Sequence, residues 1–161
     1  MEWNQKEFDS KNNLIFDGEY VNGKKKGKYK EYNDEEELIF EGECLYDFIL
    51  KGKEYDKGIL IFEGEYLYNK KWKGKVKEYY YNFYGLEILF EGELLNGKEN
   101  RIGKEYYNKK LIFEGQYIND KRNGQGKEYK FKDDIIFEGE YLNNQRWNGK
   151  GIEHTYDDYK E

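Results

Sequence analysis

A short motif recurs along the chain and constrains its fold more than any other sequence feature. Phenylalanine, an acidic residue, glycine and then Glu or Gln follow one another six times, at spacings of 22 to 28 residues. Self-similarity at such a period indicates a repeat architecture, in which each copy is one supersecondary unit. The phenylalanines of the six copies are Phe16, Phe40, Phe62, Phe90, Phe113 and Phe137.

A second block, usually Lys-Glu-Tyr, follows each copy of the motif. One further block near the start makes an initial half repeat at 1–13, and full repeats begin near residues 14, 38, 60, 88, 111 and 135. A single repeat domain spanning 1–161 is therefore expected. The second blocks are centred on Glu7, Glu31, Glu54, Glu78, Glu105, Glu128 and Glu153.

Each repeat has the pattern of two β-strands. In 14–20, apolar residues, Gly and Tyr alternate with a second set that includes Asp17 and Glu19, a period of two typical of a strand. Asn-Gly pairs, which favour two-residue hairpin turns, predict where the strands reverse. These pairs are Asn22-Gly23, Asn96-Gly97, Asn123-Gly124 and Asn148-Gly149.

The pattern predicts an all-β fold, an elongated single-sheet solenoid of stacked antiparallel β-hairpins. Two strands per repeat give a rise of roughly 10 Å, so six repeats would extend about 60 Å. The chain has no Ala and no apolar stripe at helical spacing, so almost no helix is expected.

Composition excludes several classes of function. The 161 residues carry 28 basic and 34 acidic side chains, well mixed, which disfavours generic nucleic-acid binding. Cys44 is the single cysteine, so an internal disulfide is excluded and a reducing, cytoplasmic location is expected. The longest apolar runs have four residues, so neither a membrane span nor a signal peptide is expected.

The sequence resembles the MORN (membrane occupation and recognition nexus) repeat. The segment Phe113–Gly126, FEGQYINDKRNGQG, is similar to the family pattern of an aromatic, any residue, Gly, a polar pair and Asn-Gly-Lys-Arg-x-Gly-x-Gly. The resemblance covers nearly the whole chain as a divergent variant. It implies an all-β solenoid of hairpins that acts as a scaffold or binding platform, with lipid binding reported for some members.

Residues for catalysis are scarce. Ser10, Cys44, His154 and Thr155 are the only Ser, Cys, His and Thr side chains, and they lie at the two ends or in different repeats, so no catalytic triad is expected. One imidazole does not make a metal site. The chain is expected to be nonenzymatic, without cofactor or metal, with Cys44 as a small buried residue.

The column of glutamates allows two interpretations: a docking stripe for a basic peptide, or an edge that is solvated or salt-bridged to the adjacent lysines. Those lysines would form a basic stripe for phospholipid headgroups, but each neighbours a Glu, so attraction to an anionic membrane would largely cancel. They are Lys30, Lys53, Lys77, Lys104 and Lys127.

The aromatic columns divide into a core and a candidate interaction surface. The motif phenylalanines share a face with the glycines and are expected to be buried. The tyrosines of the second blocks face away from the Glu column, and some are expected to be exposed together with two tryptophans in turns. The predicted partner-binding residues are Tyr32, Tyr55, Tyr79, Tyr106, Tyr129, Trp72 and Trp147.

The preferred hypothesis is a repeat scaffold that binds another protein of unknown identity along a concave, aromatic-lined face. Two alternatives remain open at this point: a membrane-surface module for phosphoinositide headgroups, and a bacterial antitoxin or immunity-type partner protein. Open strand edges also predict head-to-tail oligomers of the chain.

Overall fold

The computed structural model describes residues 3–83, 85–97, 100–130 and 134–151. The chain divides into two compact units, one of Met1–Lys77 with Leu94–Gly97 and the other of Glu78–Glu93 with Lys98–Glu161. The regular elements that these described residues form are thirteen β-strands. The all-β prediction is therefore confirmed.

Within each unit the strands pair in chain order and antiparallel, as expected for stacked hairpins in one open sheet. The strands that begin in the first unit are β1 (Trp3–Phe8), β2 (Leu14–Val21), β3 (Lys24–Tyr32), β4 (Leu38–Leu45), β5 (Phe48–Asp56), β6 (Ile59–Leu67) and β7 (Lys70–Asn82). Those that begin in the second are β8 (Gly85–Leu95), β9 (Asn100–Tyr107), β10 (Lys110–Ile118), β11 (Lys121–Tyr129), β12 (Ile135–Leu142) and β13 (Gln145–Gly151).

Two-residue turns join the strands of most repeats. Asn22-Gly23 forms such a turn, as predicted, whereas Asn96-Gly97 begins a longer connection between β8 and β9. Both residues of each pair have positive φ, 51° and 75° in the first turn, which is the geometry of a type I′ hairpin turn. The prediction was wrong for Asn123-Gly124 and Asn148-Gly149, which lie inside β11 and β13.

The last two repeats turn earlier, at Asn119-Asp120 and Asn143-Asn144. Asn and Asp tolerate the left-handed conformation, so these pairs form the same turn without glycine. The glycines further along serve the sheet instead. A Cβ on Gly149 would lie 2.4 Å from the carbonyl oxygen of Glu138, so glycine is needed there for close backbone approach.

The motif phenylalanines form the core, as predicted, and all six are buried. Phe40 shows how one sheet achieves this: its ring lies over Gly42 and Gly52, which stand opposite each other in register. A Cβ on either glycine would lie 2.6 or 2.3 Å from Cζ of that ring. Each buried ring contributes about 1.5–3 kcal/mol.

Tyr29 and Cys44 complete the core of the first unit. Tyr29 replaces the second glycine of its repeat, and its ring stacks between Phe16 and Phe40 at centroid distances of 5.7 and 5.0 Å. Cys44 packs in the same cluster, and burial raises the pKa of its thiol. The prediction that Cys44 is buried is confirmed.

Candidate functional site

The glutamate column lies on the same face of the sheet as the phenylalanines. Glu31 stands opposite Phe16 and Phe40 in register, and Glu54 stands opposite Phe40 and Phe62. Both glutamates are half-buried. These two carboxylates are therefore part of the covered face.

Apart from Glu31, each glutamate of the column that the structure describes is bound by the repeat that follows it, as Glu54 illustrates. The Tyr66 hydroxyl donates to one carboxylate oxygen at 2.6 Å, and Lys71 Nζ lies 2.6 Å from the other. The same ammonium group lies 4.9 Å from the centroid of the Phe62 ring and covers it. One carboxylate thus connects β5 to both strands of the next hairpin.

The second unit repeats this network with arginine. Glu105 accepts a hydrogen bond from the Tyr117 hydroxyl at 2.6 Å and forms an ion pair with Arg122. The Arg122 guanidinium carbon lies 4.2 Å from the centroid of Phe113. Tyr141 and Arg146 bind Glu128 in the same way, at 3.0 and 2.8 Å.

The network shifts the pKa values of its members. Burial raises the pKa of the Glu105 carboxyl, but hydrogen bonds from Arg122 and Tyr117 and the charge of Arg122 outweigh it, so the pKa lies below its ordinary value. Burial, followed by the bond to Glu105, raises the pKa of Tyr117 well above its ordinary value. The pKa of Glu128 is lowered and that of Tyr66 is raised for the same reasons.

These contacts decide between the two interpretations of the glutamate column. In the described residues its carboxylates are engaged by tyrosines and cations, so the column resembles the salt-bridged edge and not an open docking stripe. The cations are not the adjacent lysines, however. They lie nine positions after a motif phenylalanine, or eleven in one repeat, a periodicity visible in the sequence: Lys25, Lys71, Arg101, Arg122 and Arg146.

The second repeat departs from this network. Cys44 stands at the position of the tyrosine, and Ile49 stands at the position of the cation. The second repeat therefore offers no group that can bind the carboxylate of Glu31. Lys25 pairs with Glu31 instead, at 2.7 Å and within the same hairpin. Cys44 and Ile49 pack against the aromatic core.

The opposite face of the first unit carries two rows of alternating charge. Lys53 lies 3.8 Å from both Glu41 and Glu63, and Lys51 lies 3.0 Å from Glu43. Neighbours in a row are direct partners in the strand register. The first rail is Asp17, Lys30, Glu41, Lys53, Glu63 and Lys75, and the second rail is Lys28, Glu43, Lys51, Glu65 and Lys73.

A groove of about 820 Å³ runs between these rails across β2 to β6. Its lining includes Gly18, Gly42, Gly52 and Gly64, and Tyr32 at one side. Six carboxylates against four ammonium groups leave two negative charges in excess. The charged lining residues are Asp17, Glu19, Glu41, Glu43, Glu63, Glu65, Lys28, Lys30, Lys51 and Lys53.

Among the described residues of the second unit whose register is defined, one such rail is present: Lys104, Glu114, Lys127, Glu138 and Lys150. Lys127 lies 3.3 Å from Glu138, and Lys104 lies 3.9 Å from Glu114. The positions of a second rail hold mostly uncharged residues there: Ile102, Gln116, Gln125, Glu140 and Asn148.

The predicted lysine stripe lies within the rails, where carboxylates flank it. Lys30 stands between Asp17 and Glu41 in register. In the third repeat Lys75, not Lys77, stands opposite Glu63, because the strand register is displaced relative to the sequence blocks. Alternating neighbours of opposite sign leave no continuous basic stripe on the described part of this face.

The predicted tyrosine row lies beside the first rail and is half-buried. Tyr55 donates a hydrogen bond to Glu41 at 2.8 Å, and Tyr106 donates to Glu91 at 2.6 Å. Burial, followed by those bonds, raises the pKa of both hydroxyls to about 12. Tyr129 donates to Glu114, and Tyr32 and Tyr79 are half-buried as well.

The two tryptophans are exposed, but they do not lie in turns as the sequence predicted. The register skips Trp72 in β7 and Trp147 in β13, so each occupies a β-bulge within its strand. Trp72 is 38% and Trp147 70% exposed. Leu50 occupies the equivalent bulge in β5 and is also exposed, a position that sequence reasoning missed.

No group of three or more His, Cys, Asp or Glu side chains is arranged to hold a metal ion among the described residues. The same part of the chain contains no helix long and apolar enough to cross a membrane. His154 and Thr155 lie outside the described residues.

No family model matches the sequence, and no curated protein is similar to it. Membership of the MORN family, suggested by the repeat motif, stays a prediction.

Proposed function

We propose that this chain is a nonenzymatic repeat scaffold that binds a segment of another protein along the charged face of its first unit. The observation that carries the proposal is the groove between the two rails, about 820 Å³ in volume and crossing five strands. A groove of that length suits an elongated ligand.

The lining of the groove supports a macromolecular ligand. Acidic and basic positions recur from strand to strand, so the groove presents equivalent sites along its length. Chemistry on a small substrate requires groups placed asymmetrically around one reacting centre. A polymer with its own repeating side chains matches such a surface better.

Apolar side chains border the charged face and supply contact area. Tyr32 and Tyr55 lie beside the first rail, half-buried with part of each ring accessible. Leu45 and Phe48 are exposed at the turn side, opposite each other in register. Aromatic and aliphatic groups beside a polar centre provide most of the affinity of many interfaces.

The proposal is tested by capture from a lysate of the source cells on the immobilised full chain, with quantitative mass spectrometry. The variant Glu41→Lys/Glu43→Lys reverses charge in the groove. Asp34→Lys/Glu35→Lys makes the same change of net charge in the exposed loop after β3.

We expect at least one protein to be retained by the wild type and the loop variant and lost with the groove variant. Circular dichroism of each variant checks that the sheet is intact. An identical set of retained proteins for the wild type and a folded groove variant would contradict the proposal.

A further inference from the structure

Strand β13 lies at an edge of the second unit but has the pattern of an inner strand. Among the described residues it pairs with β12 alone, and all 7 of its residues are exposed. β11, the corresponding second strand of the preceding repeat, is paired on both sides. An edge strand presents unpaired backbone N–H and C=O groups, which can pair with a further strand.

The junction between β11 and β12 shows which strand fits beside the second strand of a repeat. Glu138 of β12 stands opposite Lys127 of β11 and pairs with it at 3.3 Å. Further along β12, the ring of Tyr141 packs against Phe113 of the preceding hairpin at a centroid distance of 4.9 Å. The added strand therefore needs an acidic residue and, three positions later, an aromatic residue.

The charged side of this pattern has no partner at β13. In register, Lys150 has the place in its hairpin that Lys127 has in the preceding one. Glu138, which stands opposite Lys150, pairs with Lys127 instead. Lys150 is exposed and forms no ion pair with another described residue. An acidic residue directly opposite on a further strand would supply that pair.

The aromatic side of the edge is incomplete as well. Among the described rings, Phe137 contacts Tyr141 of its own hairpin at 5.3 Å, whereas Phe113 contacts tyrosines of both its own and the next hairpin. Trp147, in the bulge of β13, is 70% exposed. In β11 the equivalent residue is Gly124, which stands opposite Tyr141. Trp147 is therefore placed to stand opposite the aromatic residue of an added strand.

A second copy of the chain does not supply this strand. The strands that carry an acidic residue and an aromatic at the required spacing are each paired on both sides: β2, β6, β10 and β12. The other edge strand of the described residues, β1, has the lysine pattern of a second strand, with Lys6 opposite Asp17. It would bring lysine instead of an acidic residue to Lys150.

We propose that β13 is a docking edge for an extended segment of another protein, which adds to the sheet as an antiparallel strand. The segment carries Asp or Glu opposite Lys150 and an aromatic residue opposite Trp147. Main-chain hydrogen bonds give such strand addition its affinity, and the two side-chain contacts give it register. This site lies in the second unit and does not depend on the groove of the first.

The test measures binding of labelled peptides to the full chain by fluorescence anisotropy at low salt. One peptide has the sequence of 135–142, IIFEGEYL, with a Ser tail for solubility, and the other has Lys at the place of Glu138. We expect the glutamate peptide to bind at least about threefold more tightly, because opposite charges across strands attract and like charges repel. The chain has a net charge of −6, so nonspecific attraction would favour the lysine peptide instead.

The variant Lys150→Glu should reverse this preference, because it reverses the charge at the edge. Lys121→Glu is the matched control. It makes the same change of charge at an exposed lysine of the same unit, in β11. The control should keep the preference for the glutamate peptide. Circular dichroism of both variants checks that the sheet is intact.

N-methylation of the glutamate peptide tests the backbone pairing. A strand added to one edge donates the N–H groups of alternate residues to that edge. Of two peptides methylated at alternate sets of amides, one should bind like the unmodified peptide and the other at least about tenfold more weakly.

No binding of the glutamate peptide, or equal affinities of the two methylated peptides, would overturn strand addition. A preference that survives Lys150→Glu as fully as it survives Lys121→Glu would overturn the location at β13. Neither result bears on the groove variant in the capture experiment, so the two proposals fail separately.

Discussion

Replacing Gly126 by alanine should destabilise the second unit through one identifiable clash. Gly126 stands opposite Gly115 beneath the ring of Phe113, which is fully buried. An added Cβ would lie 2.5 Å from Cζ of that ring and 2.8 Å from Cε2. The ring must move, and overpacking of this kind costs about 1–3 kcal/mol. The lower unfolded-state entropy of alanine offsets about 0.4–1 kcal/mol.

The expected net loss is therefore about 1.3 kcal/mol in the free energy of unfolding. Urea denaturation followed by circular dichroism measures it. With a slope of about 2 kcal/mol per molar urea, the midpoint should fall by about 0.6 M. Gly151→Ala is the control, because the nearest atoms to its added Cβ would be 3.6 Å away, an ordinary contact. Its midpoint should barely change.

A double variant separates the clash from other effects of the substitution. Phe113→Leu removes the Cζ and Cε2 atoms, so adding Gly126→Ala to that background should cost at least about 1 kcal/mol less than it does alone. If the two changes were additive, or if Gly126→Ala were as mild as Gly151→Ala, the proposed clash between a Cβ at position 126 and the ring of Phe113 would be wrong.

Three further predictions concern the polar contacts. Glu105→Gln should cost about 1.5–3 kcal/mol at pH 7. Because the folded pKa of Glu105 is lowered, its contribution is present above the unfolded pKa and is lost as pH falls through the folded pKa, so urea midpoints of the variant should decline less in acid than those of the wild type. Tyr20 and Tyr141 have folded pKa values raised to about 12, so their contributions are complete below an unfolded pKa of about 10 and are lost as pH rises towards 12. Phenolate absorbance should show this late titration, and titration of every tyrosine near pH 10 in the folded protein would contradict it. Asn144→Gly should cost about 0.5–1.5 kcal/mol in urea, since Gly permits the φ of 72° but loses the side-chain bond from the Arg122 amide, whereas Asn143→Gly should change little.

The sequence was sufficient to predict the strands and the core because both depend on local patterns. Alternation around each motif phenylalanine placed Phe and Gly on one face, and the structure confirms it. Asn-Gly pairs predicted only some of the turns. Asn119-Asp120 and Asn143-Asn144 adopt the same conformation without glycine, so the pattern missed them. Residues that tolerate positive φ are interchangeable at such positions, so the sequence left the turn sites ambiguous.

The candidate site was harder to predict because it depends on which residues stand opposite each other. The rails require the register of neighbouring strands, which the sequence blocks do not always follow. Lys77 comes 15 residues after Phe62, whereas Lys53 comes 13 after Phe40, so Lys75 and not Lys77 stands opposite Glu63. The cations nine residues after phenylalanine were periodic in the sequence, but their contact with glutamates of the preceding repeat is a long-range pairing.

The substitutions in the second repeat change what holds one junction together. In the other described hairpins a carboxylate of one hairpin is bound by the tyrosine or the cation of the next. Between the hairpin of β2 and β3 and that of β4 and β5, Lys25 instead turns back to Glu31 within its own hairpin. Apolar contacts take over there, since the ring of Tyr29 stacks on Phe40 at 5.0 Å and Cys44 packs in the same cluster. Acid that protonates the linking carboxylates should therefore loosen the other described junctions of the first unit before this one.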